Sequence, residues 1–266
     1  MSNDTRNIVL QASDISIVFG GLCAVSSFSG TLYENELVGL IGPNGAGKTT
    51  LFNLFSGIYA PTAGQITFWD RNGGMHLLKK ETPATLNKFG IARTFQNIRL
   101  FGNLSVGDNV RVALHASRTV NPLDVLIRTG RYRRDEQLMT EKMRHLLGLF
   151  HIADKENERA HNLPYGEQRK LEIVRALASR PRLLLLDEPA AGMNPQETED
   201  LMRLINFIRT EFSLTILLIE HDMKLVMGIC ERIMVLDYGR VIASGTPDEI
   251  KSHPQVIKAY LGEIDE

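Results

Sequence analysis

Gly42-Pro43-Asn44-Gly45-Ala46-Gly47-Lys48-Thr49-Thr50 fits the pattern G-x-x-x-x-G-K-[ST] through Gly42, Gly47, Lys48 and Thr49. Each residue type there has a physical task. Glycines let backbone N–H groups fold around an oxyanion where a Cβ would collide. Lys48 places a compact positive charge on β- and γ-phosphates, and the Thr49 hydroxyl is a ligand for Mg²⁺. A helix starting at this point aims its positive end at the same phosphates. The flanks suit the pattern: Glu36–Ile41 reads as a buried strand and Thr50–Phe55 as a helix. A plain glycine-rich turn before an ordinary helix would not need that context.

A second stretch points to the same chemistry. Leu183-Leu184-Leu185-Leu186-Asp187-Glu188 is an all-apolar strand ending in two carboxylates. A strand buried on both faces has this texture, and ligands of open α/β sheets sit at its C-terminal end. One carboxylate there can hold Mg²⁺ through water, and the next can polarise a water for attack on phosphorus. Alone, the run could be a strand entering a solvated acidic turn; beside a phosphate loop that reading loses its force.

The rest of the chain divides by texture. Short strands are expected at Ile8–Gln11, Ile15–Phe19, Phe28–Leu32, Glu36–Ile41, Gln65–Trp69 and Ile91–Phe95, with turns at Gly20-Gly21 and Asn35. Thr82-Pro83 caps a short helix that Gly90 stops. From about Gln96 to Ala160 the pattern is helical, with an apolar stripe at Leu138, Met139, Met143, Leu146, Leu147 and Phe150. Core texture then resumes: a helix over Glu167–Ser179, a strand over Arg182–Leu186, and a capping box at Asn194-Pro195-Gln196-Glu197. That box opens a helix with Leu201, Leu204, Ile205 and Ile208 on one face. A strand over Leu214–Ile219, a helix over Asp222–Ile229 and strands over Arg232–Leu236 and Arg240–Ser244 follow, then two short helices, the first capped at Thr246.

Composition excludes several classes. Thirty basic and 31 acidic residues leave a net charge of −1, which gives no support to nucleic-acid binding. The basic run Arg128–Arg134 reads as a solvated helix edge. Cys23 and Cys230 are the only cysteines, so no disulfide framework exists and a reducing setting fits. The N-terminal stretch lacks the apolar core of a signal peptide, and no run approaches the ~18 apolar residues of a membrane span.

In order and spacing, these elements resemble the ATP-binding subunit of an ABC transporter over nearly the whole chain. Gly42–Thr49 is similar to the Walker A loop and Leu183–Asp187 to the Walker B strand. Gln96 in Arg93-Thr94-Phe95-Gln96 resembles the Q-loop, and His221 in Ile219-Glu220-His221-Asp222 the switch histidine. Leu163-Pro164-Tyr165-Gly166-Glu167-Gln168 stands where the family has its LSGGQ signature, Ala191–Asn194 at the D-loop, and Phe19 at the position that stacks on adenine. Taken singly, Gln96 would be a surface residue, His221 a helix-start histidine and Phe19 a core aromatic; the shared order changes those readings. Two residues depart from the family: Pro164 replaces the signature serine and Asn194 the D-loop acid.

The resemblance implies an α/β fold with a P-loop NTPase core of ABC ATPase type, an N-terminal antiparallel β subdomain and an inserted helical subdomain. Its expected parts, within one ABC ATPase domain, are residues 1–95 (β subdomain and phosphate-loop part of the core) and 96–160 (helical subdomain). Residues 161–245 follow with the signature helix, Walker B and the rest of the core, then 246–266 as a helical tail. The implied cofactors are ATP and Mg²⁺. Glu188, His221 and Lys48 are the expected catalytic residues, and Thr49, Gln96 and Asp187 those serving the metal. Nucleotide contacts are expected from Phe19, Gly42, Pro43, Asn44, Gly45, Ala46, Gly47, Lys48, Thr49, Thr50, Gln96, Tyr165, Gly166 and Glu167. Implied partners are two integral membrane permeases, a second cassette (paralogue or copy) docked head to tail and, indirectly, a secreted or periplasmic binding protein. The implied location is the cytoplasmic face of the inner membrane.

Within the family, several stretches resemble the larger ATPase of bacterial branched-chain amino acid importers. They are Ile17–Leu22 with Ala24-Val25, the LPYGEQRKLEI signature, Pro189–Pro195, Leu217–Gly228 and the ending from Gly245 to Gly262. Sister systems move urea, short amides or lipopolysaccharide. A soluble ABC ATPase acting on ribosomes or DNA is the rival class. Against it stand a single Walker A loop and a helical insertion too short for a long coiled coil. A P-loop kinase outside the family would lack both the signature helix and His221.

Overall fold

The computed structural model describes residues 7–116 and 130–261. Gly262 and Arg128, both noted above, fall outside those residues. Contacts divide the chain into a first unit of residues 1–96 and 181–266 and a second unit of residues 97–180.

In the first unit, a four-stranded antiparallel sheet has the order β2-β1-β4-β5, with β1 at Ile8–Phe19, β2 at Leu22–Tyr33, β4 at Ala63–Trp69 and β5 at Met75–Leu78. The two short strands expected at Ile8–Gln11 and Ile15–Phe19 are one long strand, and the one expected at Phe28–Leu32 extends back to Leu22. Asp14 and Ser27 interrupt them only locally, each at a φ of 51°. Hydroxyls on the neighbouring strand replace the lost ladder bonds: Asp14 N–H donates to Ser29 Oγ and Ser27 N–H to Ser16 Oγ, both at 2.9 Å. Strand β5 is an addition to the expected set. Asp70 shapes its turn by accepting from the N–H groups of Asn72 and Gly74 at 2.8 and 2.9 Å.

The second sheet has the order β10-β9-β3-β8-β7-β6. Strands β3 (Leu37–Ile41), β6 (Ile91–Arg93), β7 (Leu183–Asp187), β8 (Thr215–Ile219) and β9 (Arg232–Asp237) run parallel; β10 (Arg240–Gly245) pairs antiparallel to β9. Every residue of β3, β7 and β8 is buried, as their apolar runs require, including Asp187 and Thr215 at the ends of those runs. Helix α1 (Lys48–Phe55) presents Leu51, Phe52, Leu54 and Phe55 to a core shared by both sheets. Burial of such side chains contributes about 1.5–3 kcal/mol each. One consequence follows directly: the C-terminal ends of β3, β8, β7 and β6 lie side by side. They lead into the phosphate loop, His221, Glu188 and Gln96, in that order.

Helix α2 (Pro83–Phe89) is capped by Thr82 and ends at Gly90 in the left-handed region. In the second unit, α3 (Val106–Ala116), α4 (Gly130–Leu149) and α5 (Tyr165–Ala178) pack together. Met139, Met143, Leu146, Leu147 and Phe150 are buried as the stripe predicts, but Leu138 is exposed. Arg133 and Arg134, in the first two turns of α4, are exposed, as a solvated helix edge requires. Two expectations are corrected. Helix α5 starts at Tyr165, and it groups with residues 97–180, whereas the sequence reading placed it with the core after residue 160. The reason is packing: α5 lies against α3 and α4.

The chain ends with α6 (Pro195–Glu211), α7 (Met223–Ile229), α8 (Pro247–Lys251) and α9 (Pro254–Leu261), all in the first unit. Both expected capping boxes form, at Asn194 and Thr246. Leu201, Ile205 and Ile208 are buried on α6. Among the described residues no helix is long and apolar enough to cross a membrane.

Candidate functional site

The phosphate loop, Gly42 to Gly47, joins β3 to α1. A Cβ on Gly42 would collide with the Leu236 carbonyl oxygen, and one on Gly47 would sit 2.5 Å from that of Ala24. Both glycines also have positive φ, so close approach and backbone conformation together demand them. The loop is held by the Ala46 N–H on Pro43 O at 3.2 Å and by the Gly239 N–H on Ala46 O at 2.9 Å. Lys48 Nζ folds over it, donating to Gly42 O at 2.6 Å and Pro43 O at 2.8 Å. Its charge thus lies against the loop, where phosphates would meet it. Asn44, Gly45 and Thr49 are exposed, whereas Pro43 and Ala46 are buried. Ala24 lies on β2, a few residues past the Gly20-Gly21 turn. Phe19, just before that turn, is 40% exposed, with its ring edge-on to Tyr59 at 5.0 Å between centroids. Tyr59 was not anticipated from sequence; its signal is only its place just beyond α1.

The ends of β6, β7 and β8 gather three of the expected residues. Gln96 Nε2 donates to Glu188 Oε2 at 2.8 Å, and His221 Nδ1 stands 3.8 Å from that same oxygen. Glu188 adopts a left-handed φ of 44°, a strained conformation for a residue with a side chain. The Glu188 N–H donates to Ile219 O at 2.9 Å, and its carbonyl accepts from the Ala191 N–H at 3.2 Å. This carboxylate therefore projects from a fixed turn toward an amide and an imidazole.

Two further residues within these motifs, Glu220 and Arg93, join the site. Glu220 is 1% exposed and accepts from the N–H groups of Ala190, His221 and Asp222 at 2.8, 3.1 and 3.5 Å. Burial pushes its carboxyl above the usual range, while those backbone bonds pull it back. It ties the segment after Glu188 to the start of the His221 turn. Arg93 pairs with Asp187, Nη2 to Oδ2, at 2.6 Å. In the sequence, each shows only as a charge at the end of a buried strand, close to an expected site residue.

A magnesium ion suits the donor chemistry. Thr49 brings a hydroxyl, Asp187 one carboxylate and Gln96 an amide, and Mg²⁺ is usually bound by one or two carboxylates plus waters and substrate phosphates. The described residues hold no cluster of three or more His, Cys, Asp and Glu that would form an all-protein cage.

The signature segment belongs to the second unit. Pro164 precedes α5 with φ −53° and ψ 152° and gives no side-chain cap. The Pro164 carbonyl accepts from the N–H groups of Glu167 and Gln168, both at 3.0 Å. The amides of Tyr165 and Gly166, at the first two helical positions, have no intrahelical acceptor. Lys155 Nζ reaches both carboxylate oxygens of Glu167 at 2.6 Å, and this bond raises the lysine's pKa. Asn194, at the D-loop, spends its side chain on the capping box, accepting the Glu197 N–H at 3.0 Å.

Comparison with known proteins gives the family. The family described as ABC transporter matches residues 25–191. The chain belongs to that family. It is an ATPase built as an ATP-binding cassette. A second family description, branched-chain amino acid ATP-binding cassette transporter, matches residues 240–266. The chain is 45% identical over 255 residues to the high-affinity branched-chain amino acid transport ATP-binding protein LivG of Salmonella typhimurium, covering 96% of this chain and 98% of that protein. It is 46% identical, at the same coverage, to BraF of Pseudomonas aeruginosa, which carries the same description. Identity to the lipopolysaccharide export system ATP-binding protein LptB of Escherichia coli is 36% over 254 residues, 96% of this chain and 97% of that one. Among solved structures, the ADP conformation of an ATP-binding cassette of an ABC transporter matches with a TM-score of 0.80 and 27% identity, over 96% of this chain and 99% of the other.

Proposed function

We propose that this chain hydrolyses ATP to drive import of branched-chain amino acids through two membrane permeases. The observation that carries the substrate class is the gradient of identity, 45–46% to LivG and BraF against 36% to LptB, each over 96% of this chain. The match of residues 240–266 to the branched-chain description supports the same reading.

The proposed chemistry is mostly positioning and charge. Lys48 and the N–H groups of the Gly42–Thr50 loop, all but that of Pro43, which has none, hold the phosphates, and Phe19 stacks on adenine. Thr49, Gln96 and Asp187 hold Mg²⁺, which when bound neutralises charge developing on the phosphates. Glu188 takes a proton from the water whose oxygen bonds to the γ-phosphorus, as the bond from that phosphorus to the bridging oxygen breaks. Gln96 steadies Glu188, and His221 faces both it and the γ-phosphate. Tyr165, Gly166 and Glu167 of a second cassette, a copy or a paralogue, complete each site across a head-to-tail dimer. A peripheral place on the cytoplasmic face of the inner membrane, and an indirect link to a secreted or periplasmic binding protein, follow from that assembly.

Uptake of radiolabelled leucine, isoleucine and valine in a deletion strain tests the substrate class. High-affinity uptake of all three should be lost and return with the wild-type gene. Unchanged uptake of all three, with loss of urea or amide uptake, would reassign the chain to a sister importer.

A further inference from the structure

Arg93 sits at the end of β6, and its guanidinium bonds in three directions. Nη2 donates to Asp187 Oδ2 at 2.6 Å, while Nη1 donates to Asn53 Oδ1 at 2.7 Å and Ser56 Oγ at 2.8 Å. The cation also lies 5.6 Å from the centroid of the Phe52 ring and 5.2 Å from that of Phe95. The side chains of Arg93 and Asp187 are only 7% and 8% exposed. Asn53 belongs to α1, the helix that carries Thr49, about one turn beyond it, and Ser56 caps that helix's C-terminal end. One side chain thus braces the helix bearing the Thr49 hydroxyl against the strand end bearing the Asp187 carboxylate.

That brace matters for a small, geometrically strict cation. Mg²⁺ demands near-ideal octahedral geometry at about 2.0–2.1 Å, so the separation of hydroxyl and carboxylate must be held closely. A carboxylate can accept on both oxygens, so the bond to Arg93 Nη2 leaves Asp187 acceptor capacity for a metal-bound water. Only a planar fork with several donors makes these bonds at once; a lysine offers one compact charge. Folding stability is a poor reason for the pair, because buried ion pairs are often no better than apolar replacements.

We infer that Arg93 is a positioning residue for magnesium-bound nucleotide, setting Asp187 against Thr49 through Asn53 and Ser56. The inference rests on the reading of Asp187 and Thr49 as the residues that hold the metal. The test measures binding of a fluorescent ADP analogue to the full chain, with Mg²⁺ and with EDTA, and reads the ratio of the two affinities. A merely structural role would weaken both affinities alike and leave the ratio unmoved. Arg93→Met should lower the ratio to about that of Asp187→Asn, and the double variant should lower it no further, because coupled residues act as one unit. Arg93→Lys should restore part of it. Asn53→Ala, which leaves the ion pair in place, should lower the ratio less and covers the case in which Arg93→Met does not fold. A ratio unchanged in Arg93→Met and Asn53→Ala, but lost in Asp187→Asn, would overturn the inference alone. A ratio unchanged in Asp187→Asn would overturn the metal reading and this inference with it.

Discussion

Helix α1 starts behind a loop of positive-φ glycines, with Gly47 as its N-cap and a lysine folded over the loop carbonyls. Its first turn holds no acidic residue. Helix α5 starts behind a proline, offers no side-chain cap and carries Glu167 in its first turn, neutralised by Lys155. Both helix starts are read as phosphate-facing, but only the first brings a full positive charge. The second offers amides and a helix dipole, worth about 0.3–1 kcal/mol at an exposed site. The contrast suggests a division of labour: α1 holds nucleotide by itself, while α5 adds too little to bind alone and acts when another cassette presents it to an already bound phosphate.

The largest expected effect of a near-isosteric change lies at Glu188, after β7 and in the same unit as α1. Glu188→Gln should leave ATP binding intact and cut steady-state hydrolysis in the assembled transporter at least ~100-fold, as for loss of a general base. Hydrolysis within a few-fold of wild type would remove Glu188 from that role and leave the α1 half without its chemistry.

Changes at α5 that leave Gly166 in place should be smaller. Pro164→Ser adds one neutral hydrogen-bonding group, worth about 0.5–1.5 kcal/mol. ATPase activity of the complex should therefore shift by less than ~tenfold in either direction. A larger change would mean that α5 relies on side-chain contacts after all. Smaller still is the effect of the charge on Glu167. Lys155→Met leaves that carboxylate unpaired at the helix start and should slow ATPase about two- to fivefold at low salt, the scale of a charge at a helix terminus. High salt should shrink the loss, and adding Glu167→Gln should abolish it. A loss insensitive to salt would point to packing instead.

The same contrast separates what was legible in the sequence from what was not. The phosphate loop and the Leu183–Leu186 strand could be read because their chemistry is local: glycines at forced positive φ, and an apolar run whose four leucines are all fully buried. The capping boxes at Asn194 and Thr246 could be read for the same reason, since donor and acceptor lie three residues apart. Long-range partners were hidden. Strand β1 looked broken in two and β2 looked short because Asp14 and Ser27 recover their bonds from serines on the opposite strand. Arg93 meets Asp187 across 94 positions, and Glu220 meets Ala190 across 30, so neither motif displayed its partner. Leu138 fits the helical stripe by spacing, yet it lies at an exposed edge of the face that packs. The signature helix was placed by motif order, whereas its grouping follows from contacts with α3 and α4.

The division of labour between the two helix starts is tested most directly by Gly166→Asp, which puts a carboxylate at the first turn of α5. Two quantities are measured on this variant: nucleotide affinity of the isolated chain, and ATPase activity after assembly with its partners. The account predicts wild-type affinity in the isolated chain and near-complete loss of ATPase in the complex. Nucleotide affinity lost in the isolated chain, or ATPase retained in the complex, would contradict it.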